Sequence, residues 1–280
     1  MKEIKVERIT NEIKRLCIES NYYLNPDVRR RLQEAKEKEP FTIAKNIINI
    51  LVQNADIAKN ENMPMCQDTG LTVIFVEIGQ EVHITGGSLE EAINEGVRQG
   101  YKEGYLRFSV VSDPLERVNT KDNTPAVIHY DIVTGDKLKI IVAPKGFGSE
   151  NMSQLKMLKP SDGIEGVKAF VLKVVKEAGP NPCPPMIVGV GIGGTFEKSA
   201  LLAKKSLMRS TDDRNSNPFY AKLELEMLTE INKLGIGPQG FGGLTTALAV
   251  NVEAYATHIA GLPVAVNISC HATRHMEVEL

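Results

Sequence analysis

The chain changes character at Met63-Pro-Met-Cys66-Gln67-Asp68-Thr69-Gly70, and that change limits the folds open to it. Before it, apolar residues recur at helical spacing; after it come short apolar or alternating runs punctuated by glycine, which read as strands. Thr10 reads as the cap of a helix with Ile13, Leu16 and Cys17 turned inward, and Asn25-Pro26 opens a charged helix over 27–38. Thr42 opens a third, carrying Ile43, Ile47, Ile50, Leu51 and Ile57. Strands are predicted over 71–76, 82–85, 126–133, 138–143 and 186–190, with two more after residue 243. Helices are predicted over 89–100, 162–178, 196–208 and 219–234. Thr134-Gly135-Asp136 reads as the turn of a β-hairpin. Strands so closely spaced, without repeated βαβ alternation, predict an α/β protein of the α+β type. Its N-terminal helical segment, 1–60, precedes mixed, largely antiparallel sheets covered by helices, and a doubly wound parallel sheet throughout would refute this expectation.

At 280 residues, 42% hydrophobic and 24% charged, the chain can bury one large core or two closely joined ones. A net charge of -2 provides no general attraction to nucleic acid or to anionic membrane. No apolar run reaches bilayer length and the N-terminus lacks a signal-peptide core, so a cytoplasmic protein is expected. Its four cysteines are too few and too scattered for a disulfide framework. In a reducing compartment they are free thiols or ligands.

Cys17 has no polar neighbour typical of a site and is assigned to helix packing. Cys66 stands beside Gln67 and Asp68 at a strand entrance; it is either a ligand next to a proton carrier or a half-buried thiol in a turn. Four prolines surround Cys183 in Pro180-Asn-Pro-Cys183-Pro-Pro185, a stiff setting that a ligand thiolate uses and a packing thiol does not need. Cys270 precedes His271 in a tail that also holds His258 and His275. The three cysteines form no C-x-x-C pair and have no evident fourth ligand, which argues against a zinc site or an electron-transfer cluster. Three separate thiolates suit a four-iron cluster with one iron left open to act as a Lewis acid.

Two loops remain ambiguous on residue types alone. The stretch 106–125, with Arg107 and Arg117, is either a set of Asx turns or a forked clamp for a carboxylate. Gly146-Phe147-Gly148 either lets backbone approach a small anion or merely joins a strand to a helix. A rival reading rests on Gly189-x-Gly191-x-x-Gly194, which matches a dinucleotide fingerprint. That fingerprint also needs an acidic residue ending a second strand, and Asp212 and Asp213 lie in a polar loop instead. A nucleotide-binding oxidoreductase and a non-catalytic iron–sulfur protein are therefore the alternatives from other classes.

Taken together, Met65-Cys-Gln-Asp-Thr-Gly70, Leu106-Arg107, Asn119-Thr120, Asp122-Asn-Thr-Pro125, Gly148-Ser-Glu-Asn151, Asn181-Pro-Cys-Pro184, Gly191-Ile-Gly-Gly-Thr195, Gly237-Pro-Gln-Gly240 and Ser269-Cys-His-Ala272 strongly resemble the iron–sulfur (class I) fumarate hydratase family. The similarity is to the α subunit of the two-subunit form and runs from about residue 10 through nearly the whole chain. L-tartrate dehydratase α subunits carry nearly the same motifs. The resemblance implies a [4Fe-4S] cluster on Cys66, Cys183 and Cys270, and a hydro-lyase reaction converting fumarate to L-malate, with L-tartrate as the alternative substrate. It further implies Gln67, Asp68, Arg107 and Gly148 at the substrate, and Asp68 and His258 in catalysis. Residues 1–280 are expected to form one catalytic domain, and a separate β subunit is expected to supply the remaining site residues, in an α2β2 heterotetramer. Phe147 departs from the smaller residue expected in the family's glycine loop.

Overall fold

The computed structural model describes residues 2–280. In chain order the elements are β1 (Lys2–Lys5), α1 (Val6–Tyr22), α2 (Pro26–Lys38), α3 (Thr42–Asn60), β2 (Leu71–Gly79), β3 (Val82–Thr85) and α4 (Leu89–Glu103). There follow β4 (Val127–Val133), β5 (Leu138–Lys145), a single turn α5 (Phe147–Glu150), β6 (Gln154–Leu158) and α6 (Gly163–Ala178). The last are β7 (Met186–Gly193), α7 (Phe196–Ser206), α8 (Pro218–Asn232), β8 (Ala247–Tyr255), β9 (Leu262–Ser269) and β10 (Met276–Glu279). Among the described residues no helix is long and apolar enough to cross a membrane. The chain divides into two compact units. The first is Met1–Leu24, Ala55–Phe147 and Arg274–Leu280; the second is Asn25–Asn54 and Gly148–Thr273. The N-terminal helices are thus shared between the units rather than forming a body of their own.

In the first unit four strands lie in the order β10-β5-β2-β4, with β2 parallel to β4 and antiparallel to β5. The expected hairpin at Gly135 is therefore not formed, because β2 separates the two strands that the turn connects. The connection instead clasps the end of β2: Gln80 N donates to Val133 O (2.9 Å) and Glu81 N to Gly135 O (2.9 Å). A Cβ on Gly79 would come within 2.4 Å of that Gly135 oxygen, so the clasp requires glycine. The buried side chains Ile74 and Val76 of β2 and Ile140 and Val142 of β5 join Ile9, Ile13, Leu16 and Cys17 of α1 and Ile93, Val97 and Tyr101 of α4 in one apolar cluster. Gly96 and Gly100 let α4 approach α1 closely, since a Cβ would stand 2.6 Å from that of Ile13 or 2.8 Å from that of Cys17. Thr10 lies inside α1 rather than capping it, and its hydroxyl donates to Ala92 O across this contact (2.9 Å).

The second unit is built on the sheet β6-β9-β7-β8. Its central strand β7 runs antiparallel to β9 and parallel to β8. Met186, Val188, Val190 and Ile192 face an apolar layer that includes Val171, Val174 and Val175 of α6 and Leu223, Met227 and Ile231 of α8. The alternate residues Gly189 and Gly191 face α7, whose backbone lies almost on them. A Cβ at Gly189 would sit 2.2 Å from Ala203 O, and one at Gly191 2.0 Å from Ser199 O. Two glycines of the supposed dinucleotide fingerprint thus lie within β7 and serve helix–strand packing, which removes the sequence basis of the nucleotide reading. In the same unit Asp27, in the first turn of α2, accepts from Thr211 N (2.7 Å). Burial raises its pKa, but bonds from Thr211, Val28 and Ser210 outweigh that and hold the carboxyl below its ordinary value.

Candidate active site

In the first unit the chain enters β2 through a turn fixed at nearly every residue. Cys66 is half-buried, and its Sγ donates to Oε1 of the exposed Gln67 (3.4 Å). Asp68 is held at three points: Oδ1 accepts from Gly70 N (3.0 Å), Oδ2 from Phe147 N (2.9 Å), and its carbonyl from Arg274 Nη2 (2.5 Å). Gly70 has φ +81°, and a Cβ there would meet Lys145 N at 2.6 Å, so only glycine fits. From beneath, the buried Tyr101 hydroxyl donates to Thr69 O (2.7 Å), and Asn123 Nδ2 donates to Gly70 O (3.2 Å). Burial pushes the Tyr101 pKa up and keeps that hydroxyl a neutral donor.

Arg107 is clipped to the same turn. Its N–H donates to Thr69 Oγ1 (2.9 Å), and the Thr69 hydroxyl donates back to Arg107 O (3.3 Å). Its exposed guanidinium has no hydrogen bond or ion pair among the described residues. The rest of the 106–125 loop is a series of Asx turns: Asp113 accepts from Leu115 and Glu116, Asn119 from Lys121, and Asp122 from Thr124. The second arginine, Arg117, turns back onto Pro114 O (3.4 Å) within that series. The capping explanation therefore accounts for most of the loop, and Arg107 is the arginine left for a ligand. Lys145 is buried and donates to Gly146 O (3.3 Å). A Cβ at Gly146 would lie 3.2 Å from Asp68 Oδ2.

In the second unit, Cys183 and Cys270 come together at one end of the sheet. Ser269 ends β9 opposite Ile187 of β7, so each cysteine sits in the turn just beyond a paired strand. His271 N donates to Cys183 O (3.3 Å), and His271 Nδ1 lies 3.0 Å from the same oxygen. Gln239 seals the pair of turns: its N–H and its Nε2 both donate to Pro184 O (2.7 and 2.8 Å), and Nε2 lies 3.2 Å from His271 Nδ1. Cys183 is exposed with φ +53°, and Cys270 is half-buried. Gly148 is exposed, and a Cβ there would meet only Asn181 O at 3.7 Å, so the glycine loop lies alongside the Cys183 turn with room to spare.

His258 stands apart from these two cysteines. It lies in the turn before β9, whose eight residues separate it from Cys270 by roughly 25 Å at the usual rise of a strand. It is exposed, with Nδ1 accepting from Ala260 N (3.2 Å). Cys17, by contrast, is enclosed in the core of the first unit, and burial raises its pKa so that it stays a thiol. Among the described residues no three His, Cys, Asp or Glu side chains form a group able to hold a metal ion.

A sequence model of the family described as fumarate hydratase (Fumerase) matches residues 10–279. The chain belongs to the fumarate hydratase family. Its class of chemistry is that of a hydro-lyase. It is 44% identical over 273 residues to a Methanocaldococcus jannaschii protein provisionally named L(+)-tartrate dehydratase subunit alpha, covering 95% of each chain. Over 277 residues it is 33% identical to an Escherichia coli L(+)-tartrate dehydratase subunit alpha, covering 98% of this chain and 91% of that one. A Shigella sonnei protein of the same name is 32% identical over the same length, with the same coverage.

Sequence reasoning assigned no role to three residues that shape these turns. Arg274 holds the Asp68 carbonyl, Gln239 bridges the Cys183 and His271 turns, and Tyr101 supports the Thr69–Gly70 backbone. Tyr101 continues the buried face of Ile93 and Val97 but lies one residue past the predicted end of that helix, and its spacing carries no sign of a donor. Arg274 left no signal, since the strand that follows it, Met276–Glu279, is only four residues long and half charged.

Proposed function

We propose that this chain is the α subunit of a [4Fe-4S]-dependent hydro-lyase interconverting fumarate and L-malate. In this reading it works in the cytoplasm with a separate β subunit, as an α2β2 heterotetramer. The observation that carries the reading is Asp68, whose carboxylate is oriented by two backbone amides in a turn to which the backbone of the uncommitted Arg107 is clipped at Thr69.

Cys66, Cys183 and Cys270 would hold the cluster. Their chemistry fits it: each is a free cysteine, exposed or half-buried, and three thiolates would leave one iron of a four-iron cluster without a protein ligand. When bound, the cluster supplies a Lewis-acidic iron for the substrate hydroxyl. The chain's own residues account for the rest. The Arg107 guanidinium pairs with a substrate carboxylate, a fork that can donate two parallel hydrogen bonds. The Gln67 amide, next to Cys66, donates to a second oxygen of the dicarboxylate. Asp68 moves the proton at the carbon next to that carboxylate, a transfer that needs a group held in fixed orientation. Gly148 leaves its backbone open to the substrate. His258 is given no step, because within the second unit it stands at the opposite end of the sheet from Cys183 and Cys270. Arg274 and Lys145 are engaged with backbone carbonyls, so further cations to offset charge on the developing carbanion fall to the β subunit.

L(+)-tartrate is the second reading, favoured by the names of the relatives at 44% and 33% identity. The test is anaerobic preparation with the partner subunit, iron and sulfide analysis, and kcat/KM on fumarate, L-malate and L-tartrate. Higher kcat/KM on fumarate and L-malate is the expected result. Preference for tartrate would replace the substrate and keep the reaction class. An iron-loaded complex inert to all three would overturn the reading.

A further inference from the structure

Strand β4 ends the four-stranded sheet of the first unit, with only β2 beside it. Exposed edges of this kind invite pairing with another chain, and proteins usually blunt them with lysine, proline or a bulge. The strand β4 has no lysine, proline or bulge, and its one carboxylate is Asp131. It carries Val127-Ile128-His129-Tyr130-Asp131-Ile132-Val133, with Tyr130 44% and Ile132 75% exposed. The backbone directions follow from its pairing. Val133 O accepts from Gln80 N (2.9 Å) in register with Gly79, so Val127, His129, Asp131 and Val133 turn their backbone groups toward β2. Ile128, Tyr130 and Ile132 turn theirs to the open edge.

The strand sequence is an inverted repeat about Tyr130. Valines stand three residues to either side, isoleucines two, and His129 and Asp131 flank the centre. We propose that β4 pairs antiparallel with β4 of a second copy of this chain, across a twofold axis at Tyr130, making one eight-stranded sheet. In that register Tyr130 exchanges both backbone hydrogen bonds with its counterpart. Ile128 lies opposite Ile132 of the second copy, Val127 opposite Val133, and His129 opposite Asp131, a complementary pair repeated on both sides of the axis. Ile128, Tyr130 and Ile132 lie beside Ile74, Val76 and Ile78 of β2, so the twofold brings six of these side chains together and prolongs an apolar row in which Ile74 and Val76 are buried and Ile78 is half-buried. An unrelated partner strand would have no use for the inverted repeat; a copy of the same strand satisfies every position. The inference is independent of the reaction and of its substrate.

The test uses the full chain, alone and with any partner subunit that purifies with it, by sedimentation at micromolar concentration. Ile132→Lys puts two charges into the joint at a site exposed in the single chain, and is expected to weaken the copy–copy dimer at least tenfold without unfolding it. Tyr130→Cys sets two sulfurs across the axis, where hydrogen-bonded antiparallel partners stand about 5.5 Å apart at Cα, within disulfide reach. Ile132→Cys sets its sulfurs about 13 Å apart, four residues of strand. Mild oxidation should link the Tyr130→Cys variant into a covalent dimer beyond any wild-type background and leave Ile132→Cys unlinked. A monomeric wild-type chain, a dimer indifferent to Ile132→Lys, equal linking at both positions, or release of a different subunit in place of a second copy would each overturn the proposal.

Discussion

The Asp68 carboxylate is oriented by backbone donors from Gly70 and Phe147, and the Arg274 guanidinium bonds only the residue's carbonyl. An asparagine there retains an oxygen acceptor and much of the shape but cannot carry a proton. Asp68→Asn is therefore expected to keep iron content and dicarboxylate binding while losing about a hundredfold or more in kcat, the usual range of a general acid–base group. Steady-state rates measured beside iron analysis check it, and unchanged turnover would make Asp68 a turn residue only. Replacing Cys66, Cys183 or Cys270 with serine should each abolish iron binding, whereas Cys17→Ser should retain it. At this scale the sequence was informative wherever a residue's neighbours are close in the chain. The spacing of Ile13, Leu16 and Cys17 already marks a buried helical face, and Cys66-Gln67-Asp68 already joins a thiol to an acid. Arg274 was hidden because its acceptor, Asp68 O, lies far away in sequence.

Single elements show where pattern reading stops. Gly189 and Gly191 fit a nucleotide motif by spacing alone, and only the position of α7 shows that each makes room for a helix backbone. A Cβ at Gly191 would overlap Ser199 O, and neither backbone can yield cheaply. Gly191→Ala is expected to cost on the order of 3 kcal/mol, the upper part of the range for overpacked cores. A lower urea midpoint would show it; an unchanged midpoint would mean that α7 can shift away. The Gly135 turn misled for a related reason. Its composition suits a hairpin, yet β2 offers both β4 and β5 a better partner, and a long-range pairing of that sort leaves no mark on the turn residues. The short strands β1, β6 and β10, of four or five residues each, lack a periodicity long enough to detect.

Across the whole molecule, the α+β character follows from the closely spaced strands, but the division into units does not follow from any linker. The first unit interrupts itself: β5 pairs with β2 on one edge and with β10 on the other, and the larger segment of the second unit, Gly148–Thr273, lies between β5 and β10 in sequence. Leu138 and Leu280 close that edge with reciprocal backbone bonds, Leu138 N to Leu280 O (3.1 Å) and Leu280 N to Leu138 O (2.8 Å). Removing residues 276–280 should raise amide exchange along β5 while leaving β7 and β9 protected; equal protection in both sheets would show that β10 is dispensable. The same arrangement bears on how the chain is made. As synthesis proceeds from the N-terminus, β5 emerges long before β10, and all of the second unit is available to fold while one edge of β5 stays open. During that interval the first unit presents two unpaired edges, at β4 and at β5, so a nascent chain among its copies is most exposed to wrong partners before its last strand arrives.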